Sequence, residues 1–386
     1  MLPEQIINCL ETLKNNGITA YLVGGCVRDM LLGTTPHDYD ITSNAPPDKI
    51  CALFDKVIKT GLKHGTVTVI MNGEPVEITR MRTESGYSDF RRPDKVMPTD
   101  DIKTDLCRRD FTVNAMAMDI DGKIIDPFSG RDDLKKRVIK AVGDPKERFS
   151  EDALRIMRAF RFAAQLGFEI EENTQNAAVK LCGELKFISA ERIFAELCKT
   201  LLSDSPQKLL PLIECGGLSP FGIDRCSGIF KTAKLSRDIK PRLALFLSLC
   251  GADASQSCRK LKTSTECRRF CEYFERNKLS GTDNCSLRKI ICDLGERDGE
   301  LMYEAICVYN EKEPKKGIIL KLSKGACSVD DLPINGNDLK KIGFSGREIS
   351  FVLDSLIEEV RRFPNRNTKE YLIKRAESFK TERNIK

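Results

Sequence analysis

Apolar residues recur at helical spacing over residues 3–16, where Ile6, Ile7, Leu10 and Leu13 share one side. Residues 19–23 read as a short strand, broken at Gly24-Gly25, and residues 26–32 resume as a helix. A second strand is expected over 37–41, then a helix over 46–54 that Ser43 or Asn44 would cap. Residues 66–71 and 75–81 read as strands joined by Asn72-Gly73, a strong hairpin signal. Residues 82–98 have no period, are rich in Arg, Asp, Ser, Gly and Pro, and read as a loop longer than packing requires. Residues 124–125 and 138–142 look like short late strands.

From Ser150 onward the pattern is helical only. Ser150 is the expected cap of a helix with Glu151 and Asp152 in its first turn, where the helix dipole favours acids, and Gly167 ends it. Further helices are expected near 173–181, 191–202, 206–215, 242–250 and 350–363. The pattern therefore predicts a small α/β head followed by a long helical body, with no internal repeat.

A chain of 386 residues exceeds one compact core and should divide into two to four units. At 41% hydrophobic and 31% charged residues it should fold and not remain disordered. Its longest near-continuous apolar run, 243–252, is too short to span a bilayer, and residues 1–13 carry Glu4 and Glu11 without a basic-then-apolar leader pattern. A cytosolic protein is expected. Sixteen cysteines are scattered without a C-x-x-C pair, and only His37 and His64 are at hand as histidine partners, so reduced thiols are expected in place of disulfides or structural zinc.

Three clusters carry chemistry. Gly24-Gly25 ends a strand and opens a helix, and Asp38 and Asp40 follow two apart, so that on a strand they would project to one face. Glu77, alternating with Val76 and Ile78, would add a third acid. Either feature alone reads as a surface turn or a solvated acidic pair. Together they read as an anion site facing metal-binding carboxylates, the requirement of phosphoryl transfer. The second cluster, residues 108–115, contains Arg109, a candidate phosphate clamp because guanidinium matches phosphate geometry. The third spans 151–162: Asp152 and Arg155, three apart, would sit side by side on one helical face, Arg158 and Arg161 would continue the stripe, and Phe160 and Phe162 flank it. Such a basic ladder among core residues reads as the lining of a cleft.

Gly-Gly-Cys-Val-Arg-Asp at 24–29, the acids Asp38 and Asp40, and Arg-Arg-Asp-Phe-Thr-Val-Asn-Ala at 108–115 resemble the head of the class II tRNA CCA-adding enzymes. So do Asp126-Pro-Phe-Ser-Gly with Asp133-Leu134, Glu151-Asp152 with Arg155, and Glu191-Arg192 with Glu196, covering about residues 20–202. Beyond that the likeness is limited to a helical tail with a Leu-Pro-Ile-Asn-Gly-Asn-Asp-Leu segment at 332–339. The resemblance implies an α+β fold: a nucleotidyltransferase head with a mixed sheet at 1–141, then a helical neck at 142–205, body at 206–315 and basic tail at 316–386. It implies Asp38 and Asp40 as ligands of Mg2+ with Glu77 as a supporting catalytic acid. Gly25, Arg28, Arg109, Arg158 and Arg161 would hold the nucleotide or order its pocket, and Asp152 and Arg155 would read the base as a protein template. Substrates would be CTP and ATP, and the partner the 3′ end and acceptor arm of tRNA.

Residues 361–386 hold nine Lys and Arg against three Asp and Glu, a basic tail suited to RNA backbone or simply to solvent. Three alternatives stand: a bacterial poly(A) polymerase sharing this head, a split enzyme adding only CC or only A, and a non-catalytic RNA-binding protein on the same fold. The loop over 83–98 resembles the flexible loop of full CCA-adding enzymes and favours complete addition.

Overall fold

The computed structural model describes residues 2–59, 61–62, 65–86, 93–315, 317–322 and 328–383. The chain forms two compact units: residues 1–226 with 260–262, and residues 227–259 with 263–386.

The first unit opens with helix α1 (Glu4–Asn15), whose Ile6, Cys9, Leu10 and Leu13 are buried on one side. Strand β1 (Ala20–Val23) runs into Gly24 and helix α2 (Gly25–Leu31), and β2 (Asp40–Ser43) returns antiparallel to β1. After α3 (Pro47–Leu53) come β3 (Val57–Ile58), β4 (Thr66–Met71) and β5 (Glu74–Arg80). The β4–β5 turn has Asn72 and Gly73 both at positive φ (52° and 89°), the mirror-image turn whose twist matches a hairpin. With β8 (Ala117–Met118) and β9 (Ile124–Ile125) these strands make one sheet in the order β3-β4-β5-β2-β1-β8-β9. The β2–β5 pair is parallel and the other pairs are antiparallel, so the sheet is mixed as expected.

Several local expectations fail. Residues 82–98 are not a plain loop: β6 (Arg82–Ser85) and β7 (Lys95–Pro98) pair antiparallel, and residues 87–92 between them lie outside the described residues. The second strand begins at Asp40, because that is where pairing with both Val23 and Glu77 starts; Asp38 sits in a bend before it. Asn44 does not cap α3, since its Oδ1 accepts from the Thr19 amide (3.1 Å), and neither does Ser43: Pro46 is the cap residue.

Helix α4 (Ile102–Cys107) precedes β8, and after β9 the chain runs through α5 (Gly130–Lys136), β10 (Val138–Ile139) and α6 (Pro145–Glu151). Helix α7 (Leu154–Leu166) follows and ends at Gly167 in the left-handed region (φ 64°), as expected. Ser150 is not its cap. Asp144-Pro145 is a stronger start signal, with the Asp144 carboxylate accepting from the Lys146 amide (2.8 Å), so Ser150 lies inside α6. Strands also do not vanish after 150: β11 (Glu169–Ile170) pairs parallel with β10. The unit continues through α8 (Glu172–Lys180), α9 (Ala190–Leu201) and α10 (Leu210–Glu214).

The second unit is helical: α11 (Ile239–Leu249), α12 (Ala254–Lys260, whose last residue belongs to the first unit), α13 (Thr265–Asn277), α14 (Asn284–Tyr309), α15 (Ile318–Leu322), α16 (Gly336–Lys341), α17 (Arg347–Arg362) and α18 (Lys369–Arg383). Its last helices share a core built on Leu339, Val352, Leu356 and Leu372. Much of the basic tail is spent on this packing. Arg366 and Arg375 both pair with Glu359, Arg361 pairs with Glu358, and Lys369 with Asp338.

The Asp126-to-Asp133 motif is a clamp. Asp126 accepts from the Gly130 and Arg131 amides (2.7 and 2.9 Å), and Asp133 accepts from the Thr112 hydroxyl (2.7 Å), tying α5 to residues 112–114. A Cβ at Gly130 would lie 2.2 Å from the Thr112 carbonyl oxygen, closer than any relaxation of a side chain can relieve. Gly130→Ala is therefore expected to destabilise the first unit by about 2 kcal/mol or more, read as a lowered urea midpoint.

Candidate active site

The register of neighbouring strands brings two of the acids together, the first residue of β2 against the middle of β5. Val23, the last residue of β1, is paired with Asp40, and Asp40 is paired on its other side with Glu77 of β5. Asp40 keeps exposed surface, yet enough protein surrounds it that lost hydration raises its carboxyl pKa. Glu77 raises it further, the Arg109 guanidinium opposes this, and Asp38 adds to it. Asp38 therefore reaches Asp40 from the preceding bend, not by strand alternation.

Gly24 closes one side of this group. Its φ of 77° favours glycine, and a Cβ there would stand 3.1 Å from Arg109 Nη1 and 3.9 Å from Asp40 Oδ2. A side chain would thus occupy the space between the acid and the arginine. Arg109 is held by Asp105, which no motif had singled out. This fully buried carboxylate accepts from Arg108 (2.8 Å), Arg109 (3.4 Å) and the Arg82 amide (3.1 Å). Burial lowers the Arg109 pKa, and Asp105 counters that shift.

A second centre forms around Phe162. The guanidinium carbons of Arg28, Arg158 and Arg161 lie 5.4, 5.2 and 3.8 Å from its ring centroid, and Phe111 meets the ring edge-on at 5.8 Å. Each arginine has its own polar partner. Arg28 binds Asp29 (2.8 Å) and Asn114 (2.7 Å), Arg158 binds Asp110 (2.6 Å), and Arg161 pairs with Glu196 of α9 (2.6 Å). Burial acts to raise the Asp110 pKa, but Arg158, Arg155 and the Phe111 amide together outweigh it and the net shift is downward. Burial likewise acts to lower that of Arg158, but Asp110 and Glu196 raise it overall. Burial brings Arg161 down to about 10, leaving it charged at neutral pH.

The expected Asp152–Arg155 pair on one helical face is not formed. Asp152 is the extended residue between α6 and α7 (φ −144°, ψ 104°), because α6 ends one residue before it. Its Oδ1 accepts from the Leu154 amide (3.1 Å), and its Oδ2 accepts from Arg192 of α9 (3.0 Å). Arg155 binds Glu151 and donates to the carbonyls of Arg148 (3.0 Å) and Arg108 (3.1 Å).

The sequence motifs thus contained Asp110, Phe162, Arg192 and Glu196 without revealing their roles. Asp105 carried no signal beyond its i, i+3 and i, i+4 spacing to Arg108 and Arg109.

Residues 20–140 match the family described as Poly A polymerase head domain, and residues 167–221 match the one described as Probable RNA and SrmB- binding site of polymerase A. The CCA-adding enzyme of Ligilactobacillus salivarius is 38% identical over 92% of this chain and 82% of its own length. The chain belongs to the CCA-adding enzyme family. The CCA-adding enzymes of Lactobacillus helveticus and Leuconostoc mesenteroides are 53% and 50% identical over 51% and 55% of this chain. The chain spans about half the length of these two relatives, 50% and 53%. The Bacillus stearothermophilus CCA-adding enzyme, solved in complex with CTP, superimposes with a TM-score of 0.82 at 30% identity, covering 100% of this chain and 99% of that one.

Nucleotidyltransferases of this kind use a divalent metal. Among the described residues no group of three or more His, Cys, Asp or Glu could hold a metal ion. The donor set at Asp40 nevertheless suits a hard cation. Carboxylates crowd one another there, and magnesium is commonly held by one or two carboxylates completed by water and substrate phosphates.

Asp110→Asn is expected to cost about 2 kcal/mol of stability, because it leaves Arg158 with only its longer pair to Glu196 (4.0 Å). The wild-type contribution is fully present above the ordinary carboxylate pKa and is lost as pH falls through the lowered Asp110 value. Denaturation from pH 7 down to pH 2 should therefore show the two proteins converging at the acid end.

Proposed function

We propose that this chain adds C, C and A to the 3′ end of tRNA, taking CTP and ATP as substrates and releasing pyrophosphate. The observation that carries this reading is the likeness, over its whole length, to a CCA-adding enzyme solved with CTP. Asp38 and Asp40 hold Mg2+, with Glu77 as the neighbouring acid. The bound magnesium supplies charge neutralisation at the α-phosphate and lowers the pKa of the attacking 3′-hydroxyl. Gly24 and Gly25 leave room beside Asp40 and Arg28 for the nucleotide. Arg28, Arg109, Arg158 and Arg161 bind or order the phosphates, held in advance by their carboxylate partners so that little reorganisation is needed on binding.

Asp152 and Arg155 read the base. Cytosine and adenine both present an exocyclic amine beside a ring-nitrogen acceptor, so a carboxylate accepts from the first and a guanidinium donates to the second. Uracil and guanine reverse that order and leave buried groups unpaired, which a polar site rejects strongly. The functional division follows the boundaries read from sequence, with catalysis in 1–141, base choice in 142–205, and tRNA contact through the body and the tail at 316–386. The RNA-binding description of the family matching residues 167–221 supports an RNA partner. The compartment we assign is the cytoplasm: sixteen cysteines scattered without a C-x-x-C pair fit a chain kept reduced.

A tRNA transcript ending at the discriminator base, resolved to single nucleotides, tests this. Growth by two with CTP and by three with CTP and ATP, then arrest, is expected. A long ladder with ATP alone would replace the reading with poly(A) synthesis, arrest at two with both nucleotides with CC addition, and tRNA binding without any extension with a non-catalytic role. In the same assay Asp38→Ala and Asp40→Ala should reduce extension to background while tRNA binding in a filter assay stays near wild type. Asp152→Ala should admit UTP and GTP more than it slows CTP; equal loss for all four nucleotides would remove its assigned role.

A further inference from the structure

The Asp152 carboxylate does not stand free. One oxygen is fixed by the Leu154 amide at 3.1 Å and the other by Arg192 Nη2 at 3.0 Å, so its plane is set by two donors from different elements. The Leu154 amide alone holds one oxygen, so the direction of the other is set by the Arg192 guanidinium. Arg192 stands on α9 four residues before Glu196, which pairs with Arg161. Residues i and i+4 share a helical face, so this face of α9 braces both the base reader and the arginine centre around Phe162. The guanidinium is not used up by the pair: Arg192 Nη1 is buried and has no hydrogen-bond partner among the described residues. A buried donor of this kind is costly unless something else satisfies it.

We propose that Arg192 is a positioning residue for nucleotide choice, fixing the Asp152 carboxylate so that a free lone pair faces the exocyclic amine of the incoming base. This rests on the reading of Asp152 as the base reader. Arg192 occupies one lone pair on Oδ2 and leaves another for the amine. With Arg192 removed the carboxylate can rotate, and a carbonyl in place of the amine is no longer met by a fixed acceptor.

The test is the ratio of kcat/KM for CTP over UTP on a tRNA lacking its terminal nucleotides. Arg192→Ala is expected to lower this ratio roughly tenfold or more, the range that one charge-assisted hydrogen bond controls. The loss should come mainly from a higher KM for CTP and from admission of UTP. Arg192→Lys, which keeps the charge and loses the fork, should fall between. Adding Arg192→Ala to Asp152→Ala should leave the ratio where Asp152→Ala alone puts it. A bracing role without selectivity would lower CTP and UTP incorporation alike, and an unchanged ratio in folded Arg192→Ala overturns the proposal. If that variant does not fold, Arg192→Gln takes its place: a lowered ratio supports the proposal and an unchanged one overturns it. If Asp152→Ala itself keeps the wild-type ratio, the base-reader reading fails first, and the role of Arg192 falls with it.

Discussion

The ion pair between Asp110 and Arg158 joins the motif at 108–115 to helix α7, and the arrangement of the arginine centre depends on it. Three guanidiniums converge on the Phe162 ring, and like charges at that range repel unless each is neutralised. The structure answers with three acids from different segments: Asp29 from α2 for Arg28, Asp110 from the turn after α4 for Arg158, and Glu196 from α9, which pairs with Arg161 and reaches Arg158 at 4.0 Å. The cost of gathering cations is thus met by carboxylates that also fix their direction. The guanidinium donors are thereby oriented in advance.

The same logic in reverse holds among the acids of the sheet. Asp40 and Glu77 are neighbours because β2 and β5 run parallel in that register, and Asp38 acts on Asp40 from the bend before the strand. The net result is a carboxyl whose pKa is raised, a site with surplus negative charge facing Arg109. Gly24 keeps the space between acid and arginine open. Acid and arginine therefore stand on either side of Gly24, with no side chain between them.

Much of this was legible in the sequence, for physical reasons that can be named. The Asn72-Gly73 hairpin and the Gly167 helix end follow from backbone preferences of single residues, and the structure keeps them. The cap at Ser150 failed because Asp144-Pro145, six and five residues earlier, is a stronger start signal; the break then fell at Asp152. That one shift removed Asp152 from the helical face it was expected to share with Arg155 and gave it to Arg192 instead. Asp105 was invisible because one of its partners, Arg109, already had another role, and burial of a carboxylate leaves no mark on a pattern of apolar residues. Residues 82–98 concealed a hairpin because β7 is exposed along its length and therefore shows no alternation.

The central claim is that base choice resides in protein groups assembled before tRNA arrives. Calorimetric titration of CTP, ATP, UTP and GTP into the tRNA-free protein with magnesium tests it most directly. CTP and ATP should bind with similar affinity while UTP and GTP bind at least roughly tenfold more weakly, the discrimination expected of one mismatched buried hydrogen bond. Equal binding of all four nucleotides would contradict the claim and move the selection to the tRNA.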